Sequence, residues 1–488
     1  MLLELANGES VSRGELPVLG VGEFVEAVSS SVAGGARIAS LFACGEQLVA
    51  VLADDAGGLL GITTARIEAR RYAALTPHCS AAHWFEREIA EQAGIVPFGH
   101  PWLKPIRFEP RAAEPSLPGV VDFYRVEGDG VHEVAVGPVH AGIIEPGHFR
   151  FQCAGETVLH LEIELGYQHR GVERALRGGP DRRSIHYAET LAGDTTIGHA
   201  TAYASCLEAL GGVEPPPRAQ AIRGLALELE RLANHAGDLG ALAGDVAFQP
   251  TAAACGRLRG ELLNLTALLC GDRFGRGLVR PGGVAFDLEP ARAQELASRL
   301  AETMGELERP VGLLWDRPSV LARFEDTGAI TRAQALEDGL VGPPARATGL
   351  ERDVRYTHPA GVFRFAQVPV STWTTGDVFA RAYLRWLEMK RSTAFIARCL
   401  ETLPRGPIRG ARPDPAPDRL AVALVEGWRG EICHVALTGP DGRFAHYKVT
   451  DPSFHNWFGL AGAMRGQPIS DFPLCNKSFN LSYCGHDL

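Results

Sequence analysis

The chain has 488 residues, 45% of them hydrophobic, with a formal net charge of −10 at pH 7 and a sequence pI near 5.9. That is enough apolar area for two or three domains, and too acidic a balance for a nucleic-acid partner, which needs a concentrated basic face. No run approaches the roughly 20 apolar residues that span a bilayer, and the opening MLLELANGES lacks the basic-then-apolar order of an export signal, so a cytoplasmic chain is expected.

Residues 23–34 read as a short helix, and ARIASLFAC, QLVAVLAD and GLLGITTARIEARRYAA as strands separated by turns. In SAAHWFEREIAEQAG a helix follows; surface ion pairs at Glu86, Arg87 and Glu88 and a turn at His100-Pro101 would explain the composition but not the whole ordered spacing. The Pro-rich EPRAAEPSLPG, residues 109–119, has the composition of a linker. It divides a small α+β domain, residues 1–108, from residues 120–488. HEVAVGP, HFRFQCAGE and TVLHLEIELG predict three strands, the last breaking at Gly166 into Tyr167-Gln168-His169-Arg170-Gly171. A strand edge there is expected to deliver His169, Arg170 and Glu173 together, and the basic cluster 177–183 reads as a solvated turn. The next helix starts at Asp194, Thr195, Thr196 and His199, where free N–H groups gather. Two polar helix starts so close in sequence make a candidate site.

Pro217 opens a long helix with Ile222, Leu225, Leu229 and Leu232 on one face and His235 near it. Helices near 252–269, 289–308, 330–340 and 376–402 complete an α-rich core. Residues 418–454 then read as strands with turns at Gly427 and Pro440-Asp441-Gly442. The expected fold class is α+β. No G-x-G-x-x-G stands between a strand and a helix, so NAD chemistry would fall to another subunit. Ten cysteines without one C-x-x-C give no signal for a zinc ribbon or a cysteine-held iron–sulfur cluster, and buried reduced thiols are expected. Two metal readings remain open. His169, Glu173 and His199 are zinc-type donors for a hydrolase, at an unspecific spacing. Cys475, Cys484 and His486 suit a remnant metal site, against a tail threaded into the core with its cysteines as small hydrophobes.

The run GYQHRGVE, followed by a helix and GHATAYASCLEAL, resembles the large subunit of membrane-bound nickel–iron hydrogenases of the formate hydrogenlyase type. It equally resembles the quinone-site subunit of respiratory NADH:quinone oxidoreductase. Arg280-Pro281-Gly282-Gly283 and Glu426-Gly427-Trp428-Arg429-Gly430-Glu431 carry the same likeness. Trp84-Phe85-Glu86-Arg87-Glu88, with Gly94-Ile95 and Gly99-His100-Pro101, resembles the small C-type subunit of the respiratory enzyme, so C-type and D-type modules share one polypeptide. The resemblance implies a hydrogenase-large-subunit fold for residues 120–488. It implies an oxidoreductase role in a hetero-oligomeric complex, between a B-type iron–sulfur subunit and membrane proton-translocating subunits, on the inner face of the cell membrane.

In the hydrogenases four thiolates hold the nickel–iron pair, and the resemblance places those positions on Ala192, Thr195, Ser482 and Gly485. None is a thiol, so no nickel–iron centre is expected. Cys484 stands one residue before the last position, about 3.5 Å away, too far for a bond near 2.3 Å. The quinone reading puts the first loop histidine on His140, the second on Ile144 and the tyrosine on Gly193. His235, in ELERLANH, matches the histidine that faces a 4Fe–4S cluster in the B-type subunit, and its usual arginine companion falls on Thr190. The resemblance therefore assigns His140, His169, Arg170, Glu173 and His199 to a catalytic set and His235, Arg280 and Asp245 to a cofactor-facing set. A catalytically silent scaffold and a quinone-reducing subunit are the competing readings.

Overall fold

The computed structural model describes residues 2–109 and 116–488, so most of the expected linker, residues 110–115, lies outside the described residues. Strands Arg37–Cys44, Gln47–Asp54 and Leu59–Arg66 form an antiparallel meander, and Leu3–Leu5 and Val18–Leu19 both pair with Leu59–Arg66. The run expected as one strand to Ala74 breaks after Arg66 and resumes as the short Arg71–Ala73. A second antiparallel sheet joins Phe444–Thr450, Gly430–Thr438 and Arg419–Gly427, and its free edge is taken by Ser10–Ser12. The three strands expected after Glu133 are present as Val131–Val136, His148–Ala154 and Thr157–Glu164. Residues of the first sheet share an apolar cluster with Phe149, Phe151, Leu340, Trp457 and Phe472. The fold class is α+β, as expected.

Helix His83–Ala93 ends at Gly94, whose φ of 63° gives the left-handed turn that stops it. Its Glu86, Arg87 and Glu88 are not a solvated face, for all three are buried. Glu86 accepts from the N–H groups of Leu75 and Thr76 at 2.7 and 3.0 Å. Arg87 donates to the carbonyls of Lys104 and Pro105 at 2.8 and 2.7 Å. Glu88 pairs with Arg107 and, at 2.6 Å, with Lys448. Buried charges persist only when matched in this way, and matching here ties the helix to the loops 75–76 and 104–107 and, through Lys448, to the second sheet.

The helical layer is built on Pro217–Asp245, packed between Gln249–Cys270 and Val378–Glu401, with Pro290–Asp316 beyond. Ile222, Leu225, Leu229 and Leu232 are wholly buried, as their spacing predicts. Glu228, Arg231 and His235 form a second face at positions i, i+3 and i+7, and it too is fully buried. Glu228 pairs with Arg231 at 3.1 Å and Arg355 at 2.9 Å, and His235 with Glu388 at 2.8 Å. The tail forms helices Pro452–Ala463, Phe472–Phe479 and Tyr483–Asp487, with Cys475 and His486 buried in the core. Among the described residues no helix is long and apolar enough to cross a membrane.

Candidate functional site

Four segments meet where the resemblance places the ligand positions: the turn 166–171, the loop 190–195, the hairpin tip 427–430 and the tail 480–487. The turn exists because the tail holds it. Asp487 accepts from the N–H groups of Gly166 and Gln168 at 2.8 and 2.9 Å, and Leu488 O from Arg170 and Gly171 at 2.9 and 3.0 Å. Gly171, at φ 67°, then reverses the chain into the short helix Val172–Leu176. Arg170 donates to the carbonyls of Thr190, Leu191 and Cys484 at 2.8, 2.7 and 3.3 Å, joining loop to tail. From the hairpin, Arg429 lies 3.9 Å over the Trp428 ring and donates to Asn480 O at 2.6 Å and Gly193 O at 3.0 Å. Asp194 carries a left-handed φ of 62°, with its carbonyl held at 2.9 Å by both Asn234 Nδ2 and Trp428 Nε1. A strained residue fixed by its neighbours is frequent at functional sites.

The four aligned ligand positions are buried. Arg429 lies 3.3 Å from Thr195 Oγ1, and Ser482 Oγ takes the N–H of Gly485 at 2.9 Å. A Cβ built at Gly485 would stand 2.8 Å from Asp451 Cγ and 2.9 Å from Ser482 Oγ. None of the four is a thiol, and a side chain at the last position would require Asp451 or Ser482 to shift. The Cys484 thiol accepts from Gly193 N–H at 3.4 Å and lies 3.4 Å from Ser482 Oγ. Burial, with Glu145 beside it, pushes that thiol above its ordinary value.

His169, Arg170 and Glu173 part company at Gly171, although a single strand edge was expected to deliver them together. His169 bonds Asp487 O at 2.7 Å and Glu109 at 3.0 Å, Arg170 the three carbonyls above. Glu173 turns inward to Lys448 at 3.0 Å and the Val449 N–H at 2.9 Å. Its carboxyl is held near 2: burial opposes ionisation, but Lys448 and Arg107 outweigh it. His199 is enclosed between Asp451 and His434, at 3.0 and 3.1 Å. The zinc reading therefore does not find its three donors in one place. Cys475, Cys484 and His486 likewise have separate surroundings: Cys475 lies against Arg381, and His486 bonds Asp487 and stacks on Phe454. Among the described residues no cluster of three His, Cys, Asp or Glu is disposed to hold a metal ion.

Comparison with known proteins agrees with the motifs. Residues 245–423 match the family of the respiratory-chain NADH dehydrogenase 49 kDa subunit, and residues 51–118 that of its 30 kDa subunit. The carbon monoxide-induced hydrogenase of Rhodospirillum rubrum is 30% identical over 350 residues, 72% of this chain and 97% of that one. A D-type NADH-quinone oxidoreductase protein of Herpetosiphon aurantiacus is 30% identical over 358 residues, 72% of this chain and 96% of its own. Formate hydrogenlyase subunit 5 of Escherichia coli K12 is 29% identical over 435 residues, 84% of this chain and 76% of that protein. The chain belongs to the family of the complex I 49 kDa subunit and membrane-bound hydrogenase large subunits. As a member it is an oxidoreductase subunit.

Within this 49 kDa-type frame, His235 has no exposed surface, so any action on a neighbouring cluster runs through charge and not contact. Burial holds its imidazole below the ordinary value of 6.5 in spite of Glu388, and the ring is neutral at pH 7. Glu388 itself, despite burial, is kept well below the usual carboxylate range by Arg346 and His235. Arg280 bonds Glu189 at 3.0 Å on a half-buried edge, and Asp245 is exposed at the end of its helix. His140 spends Nε2 on its own loop, 2.9 Å from Gly147 O, and Ile144 is half exposed. Gly193 faces open space. A cleft of about 400 Å³ opens beside the site, lined by Asp194, Asn234, Asp238, Arg259, Lys477 and Asn480. A larger cavity, about 980 Å³, lies elsewhere, between Asn7, Glu208, Arg223 and Phe363.

Sequence reasoning missed Asp451, His434 and Glu230. Glu230 caps the helix Thr196–Gly211, accepting from Ile197 and Gly198 N–H at 2.6 and 3.3 Å. Burial pushes its carboxyl up to about 8, and these two donors oppose the shift only in part. ELERLANH holds Glu230, so the signal was in hand, but nothing in one sequence distinguishes a capping carboxylate from a surface one.

Proposed function

We propose that the chain is the fused C/D-type large subunit of a membrane-associated, complex-I-like or hydrogenase-4-like oxidoreductase. Residues 1–108 would be the C-type module and 120–488 the D-type module. In this reading it docks on a B-type iron–sulfur subunit and on membrane proton-translocating subunits at the inner face of the cell membrane, and it takes part in electron transfer beside a 4Fe–4S cluster in that partner. The nickel–iron ligands are lost. The observation that carries the last point is the occupation of the Gly485 position by Asp451 and Ser482, which replaces a metal-binding space with a hydrogen-bonded contact. A silent coupling scaffold is the second reading, favoured by His140 serving its own loop and by glycine at the tyrosine position of a quinone site.

Purification of the tagged chain from membranes of cells that make it tests the assignment. An iron–sulfur protein and integral membrane subunits should co-purify in fixed ratio, with iron following the partner. A chain recovered alone, without iron, from the soluble fraction would sink the assignment.

A further inference from the structure

Behind Gly485 runs a file of buried polar side chains that electron transfer as proposed above does not use. His199 lies on the helix Thr196–Gly211, His434 on strand Gly430–Thr438 and Tyr447 on strand Phe444–Thr450, and all three are fully enclosed. His199 Nε2 is 3.0 Å from Asp451 Oδ2, His199 Nδ1 is 3.1 Å from His434 Nε2, and His434 Nδ1 is 2.8 Å from the Tyr447 hydroxyl. Two neutral imidazoles in direct contact need one donor and one acceptor. With Asp451 ionised, one assignment satisfies every bond: Tyr447 O–H donates to His434 Nδ1, His434 Nε2–H to His199 Nδ1, and His199 Nε2–H to Asp451. Every donor in the file points the same way, toward the carboxylate that fills the aligned ligand position.

The far end leads outward. Tyr203, on the same helix as His199, stands beside Ser184, whose Oγ lies 3.1 Å from the carboxylate of exposed Asp181. The rings of Tyr203 and Tyr447 are 6.0 Å apart, and Cys206, one turn along from Tyr203, stands beside Tyr447 and donates to His434 O at 3.4 Å. We propose that this file is a proton path, running from Asp181 at the surface through Tyr203, Tyr447, His434 and His199 to Asp451.

In one passage Asp451 receives the His199 Nε2 proton, His199 takes the His434 proton at Nδ1, and His434 takes the Tyr447 proton at Nδ1. Tyr447 regains a proton from the Tyr203 side, so one proton enters for each delivered and no electron moves. The step between the two tyrosines, whose rings are 6.0 Å apart, limits the rate. The surroundings favour passage over storage. Burial, with His199 alongside, holds His434 well below its ordinary value, and burial with the nearby thiols holds Tyr447 well above its own. Burial works against the Asp451 carboxylate, but His199 and Arg429 outweigh it and keep the group ionised. The other titratable groups facing the file are Cys206 and Cys433 beside Tyr447 and His455 near Asp451. The role of the delivery end rests on the proposed function, whereas the path itself stands on this chain alone.

Hydrogen exchange of the imidazole N–H groups tests the path on the full chain at neutral pH. The protein is labelled with nitrogen-15 histidine, and signals are assigned by their loss in His199→Gln and His434→Gln. On transfer to D₂O both Nε2 protons should exchange far faster than the backbone amides of the Thr196–Gly211 helix. Tyr447→Phe should slow them at least tenfold while leaving those amides unchanged. Tyr203→Phe, at the outer break, should do the same and serves if Tyr447→Phe does not fold. A merely structural network releases its protons only when the fold opens. Imidazole protons exchanging together with the helix amides, or at an unchanged rate in the folded tyrosine variants, would overturn the proposal. Either result would leave partner co-purification untouched.

Discussion

At the scale of single residues, the site is decided by which buried charges are matched. Glu230 is poorly matched, since burial opposes its ionisation and two N–H donors and nearby Arg231 offset that only in part. In the unfolded chain the carboxyl titrates near 4.5, in the fold near 8. Between those values the unfolded chain has lost a proton that the fold retains. Stability from this group is therefore fully present below pH 4.5 and is lost as pH rises toward 8. Glu230→Gln should be nearly neutral at pH 5 and stabilising at pH 8, on the order of 2 kcal/mol. Thermal midpoints at the two pH values read this out, and an equal effect at both would count against a protonated Glu230. His235 shows the reverse limit of sequence reading. ELERLANH identified the position, but the partner it pairs with, Glu388, is 153 residues away.

At the scale of elements, the apolar periodicities were legible and the long-range pairings were not. The helices opening at Pro217 and at Val378 follow from spacing and start signals, and the sheet strands from alternation. Ser10–Ser12 gives no hint that it closes the edge of a sheet whose nearest strand starts 409 residues later. Short tail helices such as Tyr483–Asp487 are held by tertiary contacts, and five residues carry no readable period. Buried Glu86, Arg87 and Glu88 look like a surface until their partners on other elements are known. The hairpin 427–430 stands where two glycines meet: a Cβ on Gly342, at φ 65°, would lie 2.3 Å from Arg429 O and 2.4 Å from Gly430 Cα. Gly342→Ala should push the tip away, loosen Arg429 from Gly193 and cost at least about 2 kcal/mol, from the left-handed backbone and the clash together. Gly462→Ala, where nothing lies within 4 Å, is the control and should be close to neutral in the same denaturation experiment. Equal effects would mean the contact is slack.

At the scale of the whole molecule, segments distant in sequence converge on the centre where the family resemblance places the ligand positions. Arg170, Trp428, Arg429 and the 480–487 tail still converge on the aligned ligand positions, while serine, threonine, alanine and glycine stand where thiolates would be and Asp451 fills the space. The proposed loss was inferred from the sequence, because the motifs around those positions are specific. The occupant was not, because Asp451 lies outside every motif. Metal analysis of the purified native complex is the most direct measurement of this account. Iron should be present in the amount its iron–sulfur partner requires, and nickel should stay far below one atom per chain even when cells are grown with excess nickel. Stoichiometric nickel that resists dialysis and disappears in Ser482→Ala or Cys484→Ala would contradict it.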